Sequence, residues 1–265
     1  MYEFNYHRPG TLEEAKKMLS ASEDPKIIAG GMTLLPTMKF RLARPSDLID
    51  LGNISKLHGI RDDGDSLFIA AMTIHAEVAS NELVRAGIPA LAELAGNIGD
   101  PQVRNRGTLG GSIANNDPAA DYPAALLALD AVVQTDKRSI PSERFLSGMF
   151  ETALQSDEIV TGVTFSRPKR AAYAKFPNPA SRYAIAGVMV AEYADSVRVA
   201  VTGAAACAFR AAELEQALSS DFSAAALDGL EIDAGELNSD LHASPEYRAH
   251  LVILLAKRAV AAAGG

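Results

Sequence analysis

Cysteine is nearly missing from this chain, which has one, Cys207, among 265 residues. A single cysteine excludes an internal disulfide framework and any iron–sulfur cluster held only by cysteines of this chain. It also fits a reducing compartment. Cys207 lies in an apolar run, residues 203–209, where a buried structural thiol is expected. The five histidines are scattered with no i, i+4 pair, so the sequence predicts no metal site.

Long apolar runs and an excess of basic residues are absent as well. No run approaches the roughly 20 residues of a membrane-spanning helix, and the N-terminus lacks the basic and apolar regions of a secretory signal. The formal net charge of −8 argues against nucleic-acid binding, which needs a basic face. We therefore expect a cytoplasmic protein, and a peripheral position at the inner face of the membrane, reached through partners, stays open.

Helix and strand signals alternate along the chain and indicate mixed α and β structure. Helices are predicted at 11–20, 32–42, 73–83, 89–95, 122–129, 211–219, 223–229 and 244–263, and strands at 26–29, 48–51, 66–71, 131–135, 158–165, 172–176, 184–193 and 197–202. Thr11, Thr73 and Ser244 are the expected N-caps. A strand, a helix and a strand within 26–51 indicate a small parallel unit, and the turn at 194–196 indicates a hairpin.

The stretch 98–121 organises the chain. It has too many glycines and prolines for a helix interior and too little alternation for a strand, so it is predicted to be a loop. A glycine pair, Gly110–Gly111, follows Thr108, and a similar pair, Gly30–Gly31, follows a predicted strand. A glycine pair alone is more often a tight turn. Adjacent glycines also let backbone N–H groups point at one spot, which is how a loop binds an anion.

Two such loops, together with nearby hydroxyl groups, could donate hydrogen bonds to the oxygens of a dinucleotide diphosphate. The hydroxyls are those of Thr33, Thr108 and Ser112. Neither loop has the spacing of a Rossmann fingerprint or a P-loop. Asp121 suits an acceptor for a ribityl hydroxyl or a ring N–H. The alternative for Asp121 is an N-cap of the helix that begins at Tyr122, and both roles can hold.

Three segments together resemble the FAD-binding medium subunits of molybdenum hydroxylases, a family that includes aerobic carbon monoxide dehydrogenases and is similar to the flavin domain of xanthine dehydrogenases. The segments are residues 28–36, 99–111 and 117–123. The resemblance implies an α+β, para-cresol-methylhydroxylase-type fold. Its parts would be two FAD-binding lobes, 1–60 and 61–168, and a C-terminal α+β domain, 169–265, with a small antiparallel sheet that covers the flavin.

The resemblance also implies which residues bind FAD. They are Ile28, Ala29, Gly30, Gly31, Met32, Thr33, Leu34, Ile98, Thr108, Gly110, Gly111, Ser112, Asn115, Asp121, Val160, Lys175 and Tyr183. Residues 28–34 and 108–112 would hold the pyrophosphate, and Asp121 would face the flavin. Lys175 and Tyr183 would reach the isoalloxazine ring from the third domain. For Lys175 the alternative is a solvated lysine at a strand edge. No catalytic residue is predicted on this chain.

The function implied by the resemblance is that of an oxidoreductase subunit that transfers electrons. A large partner subunit would carry the molybdenum cofactor, and a small one two [2Fe–2S] clusters, in a dimer of heterotrimers. FAD here would pass electrons to NAD, a quinone or dioxygen. Two other classes stay open. One is a scaffold that has lost flavin, because Met32 and Ser112 replace residues that are usually more polar. The other is a stand-alone flavin reductase of the same superfold, for which no protonating residue is evident.

Overall fold

The computed structural model describes residues 1–265 and contains fourteen strands and eleven α-helices. The strands are β1 (Asn5–His7), β2 (Pro25–Ile28), β3 (Asp47–Asp50), β4 (Ile60–Asp62), β5 (Ser66–Ala70), β6 (Val132–Thr135), β7 (Ser139–Pro141), β8 (Leu146–Gly148), β9 (Glu151–Thr152), β10 (Val160–Ser166), β11 (Arg170–Pro177), β12 (Ala184–Glu192), β13 (Val197–Thr202) and β14 (Phe209–Arg210). The helices are α1 (Leu12–Ala21), α2 (Leu34–Lys39), α3 (His75–Ser80), α4 (Glu82–Gly87), α5 (Pro89–Gly96), α6 (Pro101–Arg104), α7 (Leu109–Asn115), α8 (Tyr122–Ala128), α9 (Ser142–Phe145), α10 (Ala212–Ser220) and α11 (Pro245–Ala262). No helix among them has both the length and the hydropathy needed to cross a bilayer.

The first sheet is parallel, with the strand order β1-β3-β2. It confirms the predicted strand–helix–strand unit, and α1 begins as expected, with the Thr11 hydroxyl accepting from the Glu14 amide. The sequence does not predict β1, because Asn5–His7 has no apolar alternation and is recruited only by pairing with β3. The helix predicted at 32–42 is shorter, since the backbone turns left-handed at Arg41, where φ is 61°.

The second sheet is antiparallel and has the order β4-β5-β10-β6-β7. Its three central strands are predicted correctly. Its two outer strands, β4 and β7, have three residues each and are not predicted. The prediction of one helix from Thr73 to Leu83 is wrong. The Thr73 hydroxyl donates to the Gly59 carbonyl at 3.1 Å and caps no helix. The helix starts instead at His75 and breaks at Asn81, whose side chain caps α4.

The prediction of a loop for residues 98–121 is wrong in part, because α6 and α7 lie within it. The Gly110–Gly111 pair occupies the first turn of α7. The Thr108 hydroxyl accepts a hydrogen bond from the Gly111 amide at 3.1 Å, and this N-cap compensates the entropic cost of glycine in a helix. The hydrogen bond that caps α7 therefore outweighs the low helix propensity of the two glycines.

The third sheet is antiparallel, with the order β11-β12-β13-β14, and α11 packs against β11 and β12. The β12–β13 hairpin and the start of α11 after Ser244 confirm the prediction. The helix predicted at 223–229 is a single 3-10 turn, Ala224–Leu227, because the backbone is already extended at Asp228. Cys207 is half-buried, whereas the sequence predicts a buried thiol.

Apolar packing crosses from one sheet to the next. The largest core joins Leu67 and Val163 of the second sheet to Tyr173 and Met189 of the third. A smaller core brings Met72 against residues of the first sheet. Because no apolar boundary separates the sheets, the division at residues 60 and 168 stays a prediction.

A buried carboxylate fastens the start of β10 to the β6–β7 turn. Glu158 accepts from Arg138 at 2.9 and 3.0 Å, from the Thr135 hydroxyl at 2.7 Å and from the Gln155 amide at 3.0 Å. These donors, Arg138 first, lower the pKa of the Glu158 carboxyl to about 2. Between pH 4.5 and about pH 2, the folded protein therefore keeps Glu158 ionised, whereas the same carboxyl in the unfolded chain is protonated.

We predict that Glu158 contributes to stability above pH 4.5 and that this contribution is lost as the pH falls from 4.5 toward 2. The substitution Glu158→Gln should lower the free energy of unfolding by about 2–3 kcal/mol at pH 7 and by much less at pH 3. Urea denaturation at both pH values measures this. The exposed Glu231 has no ion-pair partner, so Glu231→Gln is the control. Equal pH profiles for the two variants would contradict the assignment.

Candidate functional site

A cleft of about 700 Å³ lies between the first sheet, α7 and the loop that joins β11 to β12. Every predicted FAD-binding residue except Lys175 lines this cleft. They are Ile28, Ala29, Gly30, Gly31, Met32, Thr33, Leu34, Ile98, Thr108, Gly110, Gly111, Ser112, Asn115, Asp121, Val160 and Tyr183. The fold thus gathers side chains that lie more than a hundred residues apart in the sequence. The volume is within the range of about 300–1,000 Å³ found for ligand pockets.

Four consecutive amides in the first glycine loop are free. The backbone N–H groups of residues 30–33 donate to no protein acceptor, either in the main chain or in a side chain. Gly31 is left-handed, with φ 73°, and Thr33 is right-handed. Left-handed and right-handed residues in close succession turn backbone N–H groups toward one point, as in an anion-binding nest. The loop therefore offers the donors that the sequence predicts for it.

The second glycine pair does not offer free amides, and this corrects the prediction. The Leu109 amide donates to Thr73 O at 3.0 Å, and the Gly110 amide to Ala71 O at 2.8 Å. The Gly111 amide is taken by the Thr108 hydroxyl. What α7 presents to the cleft instead is side chains, chiefly those of Ser112 and Asn115, neither of which has a hydrogen-bond partner within the protein.

The glycines serve close contact between the two segments. A Cβ atom on Gly30 would lie 2.1 Å from the Arg106 carbonyl oxygen. A Cβ atom on Gly111 would lie 3.4 Å from the Cβ atom of Ala29. Gly110 packs just as closely on Ala71, at 2.6 Å. The two loops therefore abut, and the free amides of the first and the polar side chains of the second line the same cleft.

Asp121 forms a buried ion pair with Lys175. The Lys175 ammonium lies 3.0 Å from one carboxylate oxygen, and the side chains are 8% and 5% exposed. Tyr173 donates its hydroxyl to the same carboxylate, and Lys175 also donates to Asn97 O at 2.9 Å. Burial raises the pKa of Asp121, and the Lys175 charge opposes that rise. Asp121 stands at the predicted N-cap position of α8, but its side chain accepts from no amide of that helix, and the alternative of a solvated Lys175 is wrong.

The sequence gives no signal for His75, which is 4% exposed and also lines the cleft. Burial lowers the pKa of His75 to about 4, so the ring is neutral at pH 7. Its Nδ1 atom and the hydroxyl of Tyr122, whose ring centroid is 5.4 Å away, have no hydrogen-bond partner. The sequence also misses Phe150, an exposed ring on the cleft wall with a left-handed backbone, φ 56°.

Comparison with known proteins agrees with this geometry. Residues 2–168 match the family model described as the FAD binding domain in molybdopterin dehydrogenase. The chain is 39% identical over 273 residues to the nicotine 6-hydroxylase medium subunit of Paenarthrobacter nicotinovorans, covering 98% of this chain and 96% of that one. It is 35% identical over 278 residues to the carbon monoxide dehydrogenase medium chain of Hydrogenophaga pseudoflava, with coverage of 98% and 96%.

A solved structure shows the same fold. It is carbon monoxide dehydrogenase from Hydrogenophaga pseudoflava in the form that lacks the Mo-pyranopterin moiety of the molybdenum cofactor. The TM-score is 0.89 at 34% identity, and the match covers 99% of this chain and 98% of that one. The predicted α+β, para-cresol-methylhydroxylase-type fold is thereby confirmed.

We predict that the Asp121–Lys175 pair is strongly coupled. Asp121→Asn leaves a buried ammonium without its counter-charge and should cost about 3–5 kcal/mol of unfolding free energy. Lys175→Met should cost a similar amount, and the double variant less than the two losses together. Urea denaturation of the three variants measures the coupling.

The exposed pair of Lys257 and Asp228 provides the control. Asp228→Asn should cost no more than about 1 kcal/mol. The coupling would be refuted if Asp121→Asn lowered the free energy of unfolding no more than Asp228→Asn does. It would also be refuted if the double variant lost the sum of the Asp121→Asn and Lys175→Met losses.

Proposed function

The chain belongs to the family of FAD-binding domains in molybdopterin dehydrogenases, and on that premise we propose that it is the FAD-carrying electron-transfer subunit of a molybdenum hydroxylase. One observation carries the proposal. Four consecutive amides at residues 30–33 have no acceptor in the protein and line the cleft. Unpaired N–H groups are costly unless water or an anion satisfies them, and the diphosphate of FAD supplies the acceptor oxygens.

In this proposal the cleft holds FAD along its length. The amide nest binds the pyrophosphate, with the side chains of Thr108, Ser112 and Asn115 opposite. Asp121 and Tyr183 mark the isoalloxazine end. Because Lys175 lies behind Asp121 and not on the cleft wall, it acts on the flavin through that carboxylate. The lobes 1–60 and 61–168 clasp the cofactor, and the domain 169–265 covers it.

Bound FAD supplies the ability to accept electrons singly and to release them in pairs. We place the molybdenum cofactor on a large partner subunit and two [2Fe–2S] clusters on a small one, in a dimer of heterotrimers. Support comes from the match over nearly the full length of proteins named medium subunit and medium chain. The acceptor is NAD, a quinone or dioxygen. Four amides kept without a protein acceptor on the cleft wall favour an anion-binding chain over a scaffold that has lost flavin.

We expect the purified chain to bind one FAD and Gly31→Ala to weaken that binding at least about tenfold. A Cβ atom at Gly31 would be strained at φ 73° and would meet the Leu35 side chain at 2.9 Å, which displaces the nest. Quenching of flavin fluorescence measures the affinity. Gly64→Ala is the matched control, since Gly64 has φ 82° but no atom within 4 Å of the added Cβ. An equal loss in both variants would exclude the nest as the phosphate site.

The electron-transfer role is tested in the assembled complex. With the Gly31→Ala chain depleted of FAD, substrate should still reduce the [2Fe–2S] clusters, as seen in their absorbance, but reduction of the terminal acceptor should fall to background. Added FAD at high concentration should restore it. If acceptor reduction were the same with and without FAD, electrons would leave the complex elsewhere and the proposal would be wrong.

A further inference from the structure

Two arginines from distant parts of the chain meet at one backbone oxygen. Arg104, in α6, donates through Nη1 to Ile98 O at 3.0 Å and to Gly99 O at 3.2 Å. Arg182, in the loop between β11 and β12, donates through Nη1 to the same Gly99 oxygen at 3.4 Å. The shared oxygen brings two guanidinium charges together, and of the two residues Arg182 lines the cleft whereas Arg104 does not.

Neither guanidinium has a carboxylate within 4.0 Å. Arg167 pairs with Asp62 at 2.7 Å and Arg198 with Asp130 at 2.8 Å, whereas Arg104 and Arg182 meet each other without such a partner. Two like charges that donate to one carbonyl oxygen repel each other, and the chain, with a net charge of −8, has more carboxylates than basic groups. An unneutralised pair of guanidinium groups is the usual arrangement for binding a phosphate or carboxylate.

The loop holds Arg182 in place at a cost in backbone strain. Arg182 has a left-handed backbone, φ 64°, which a long side chain adopts only where the surroundings impose it. The buried Asn178 side chain imposes it, accepting from the amides of Ala180 and Ser181 at 2.9 and 3.1 Å. The Arg182 amide then donates to Asn178 O at 2.8 Å.

The pair lies at a different place from the amide nest. Arg182 and its neighbour Tyr183 are both exposed and both line the cleft, beside the turn at Ile98 and Gly99. Asp117 and Asp121 also line the cleft, and their charges reach Tyr183. An anion bound by the arginines would therefore sit at the mouth of the cleft, next to the proposed isoalloxazine position, where an electron acceptor has to arrive.

We infer that Arg104 and Arg182 form a phosphate subsite for a pyridine dinucleotide, which makes NAD the terminal acceptor. The inference rests on the proposed function. Of NAD, a quinone and dioxygen, only the dinucleotide carries phosphate groups, whereas the other two carry no charge for the arginines to bind. In the reaction NAD⁺ gains two electrons and one proton as a hydride and becomes NADH, and the reduced FAD that supplies the hydride is reoxidised.

The test uses the FAD-loaded full chain and ADP-ribose, which has the diphosphate of the dinucleotide but no nicotinamide. Calorimetry should show binding that weakens with salt and that Arg182→Gly weakens at least about tenfold. Glycine accepts the left-handed backbone, so this variant removes the charge without new strain. Arg182→Lys should retain most of the affinity. NADH should bleach the flavin absorbance of the wild type, at about tenfold higher concentration for Arg182→Gly.

Arg41→Gly is the matched control, because Arg41 is also exposed, has φ 61° and has no carboxylate within 4.0 Å, but does not line the cleft. It should leave ADP-ribose binding unchanged. Equal effects of the two substitutions, or no ADP-ribose binding by the FAD-loaded wild type, would overturn the inference and leave the proposed function standing. A loss of FAD affinity in Arg182→Gly would also overturn it, by assigning the arginines to FAD itself. Failure of the wild-type chain to bind FAD would refute the proposed function instead.

Discussion

The contact between the two glycine segments is the constraint on which the site depends. Gly30 lies so close to the Arg106 carbonyl that no side chain fits between them. This contact brings the edge of the parallel sheet against the start of α7, and the cleft opens where the two segments separate. A larger residue at Gly30 would push the first sheet away from the second. The glycines are therefore needed as much for this approach as for their conformational freedom.

Hydrogen bonding gives the two segments different roles. The amides at the start of α7 are bound to Ala71, Thr73 and Thr108, and these bonds fix the helix on the second sheet. The amides of residues 30–33 have no such partners. One segment is therefore a rigid wall that presents side chains, and the other a nest that presents its backbone. In the proposed function these backbone N–H groups bind the diphosphate, and Lys26 lines the same cleft.

At the other end of the cleft the charged groups are placed by long-range contacts. Asp121 is neutralised by Lys175, which reaches it from β11 in the third sheet. Arg104 and Arg182 come from α6 and from the loop after β11, and they meet at Gly99. Both arrangements depend on the third sheet packing against the second through the shared core of Tyr173 and Met189. The C-terminal part of the chain thus contributes Lys175 and Arg182 to a site whose free backbone donors are N-terminal.

The sequence by itself determined the features that depend on neighbouring residues: the strand–helix–strand unit, the caps at Thr11 and Ser244, the β12–β13 hairpin and the two glycine pairs. Local propensity and periodicity are enough for these. Only the tertiary structure decided which amides stay free, that α7 is a helix, and that Asp121 and Lys175 pair. An amide is free or bound according to acceptors that arrive from distant segments, such as Ala71 and Thr73 for α7. Those acceptors are placed by packing between sheets, which one-dimensional spacing does not encode.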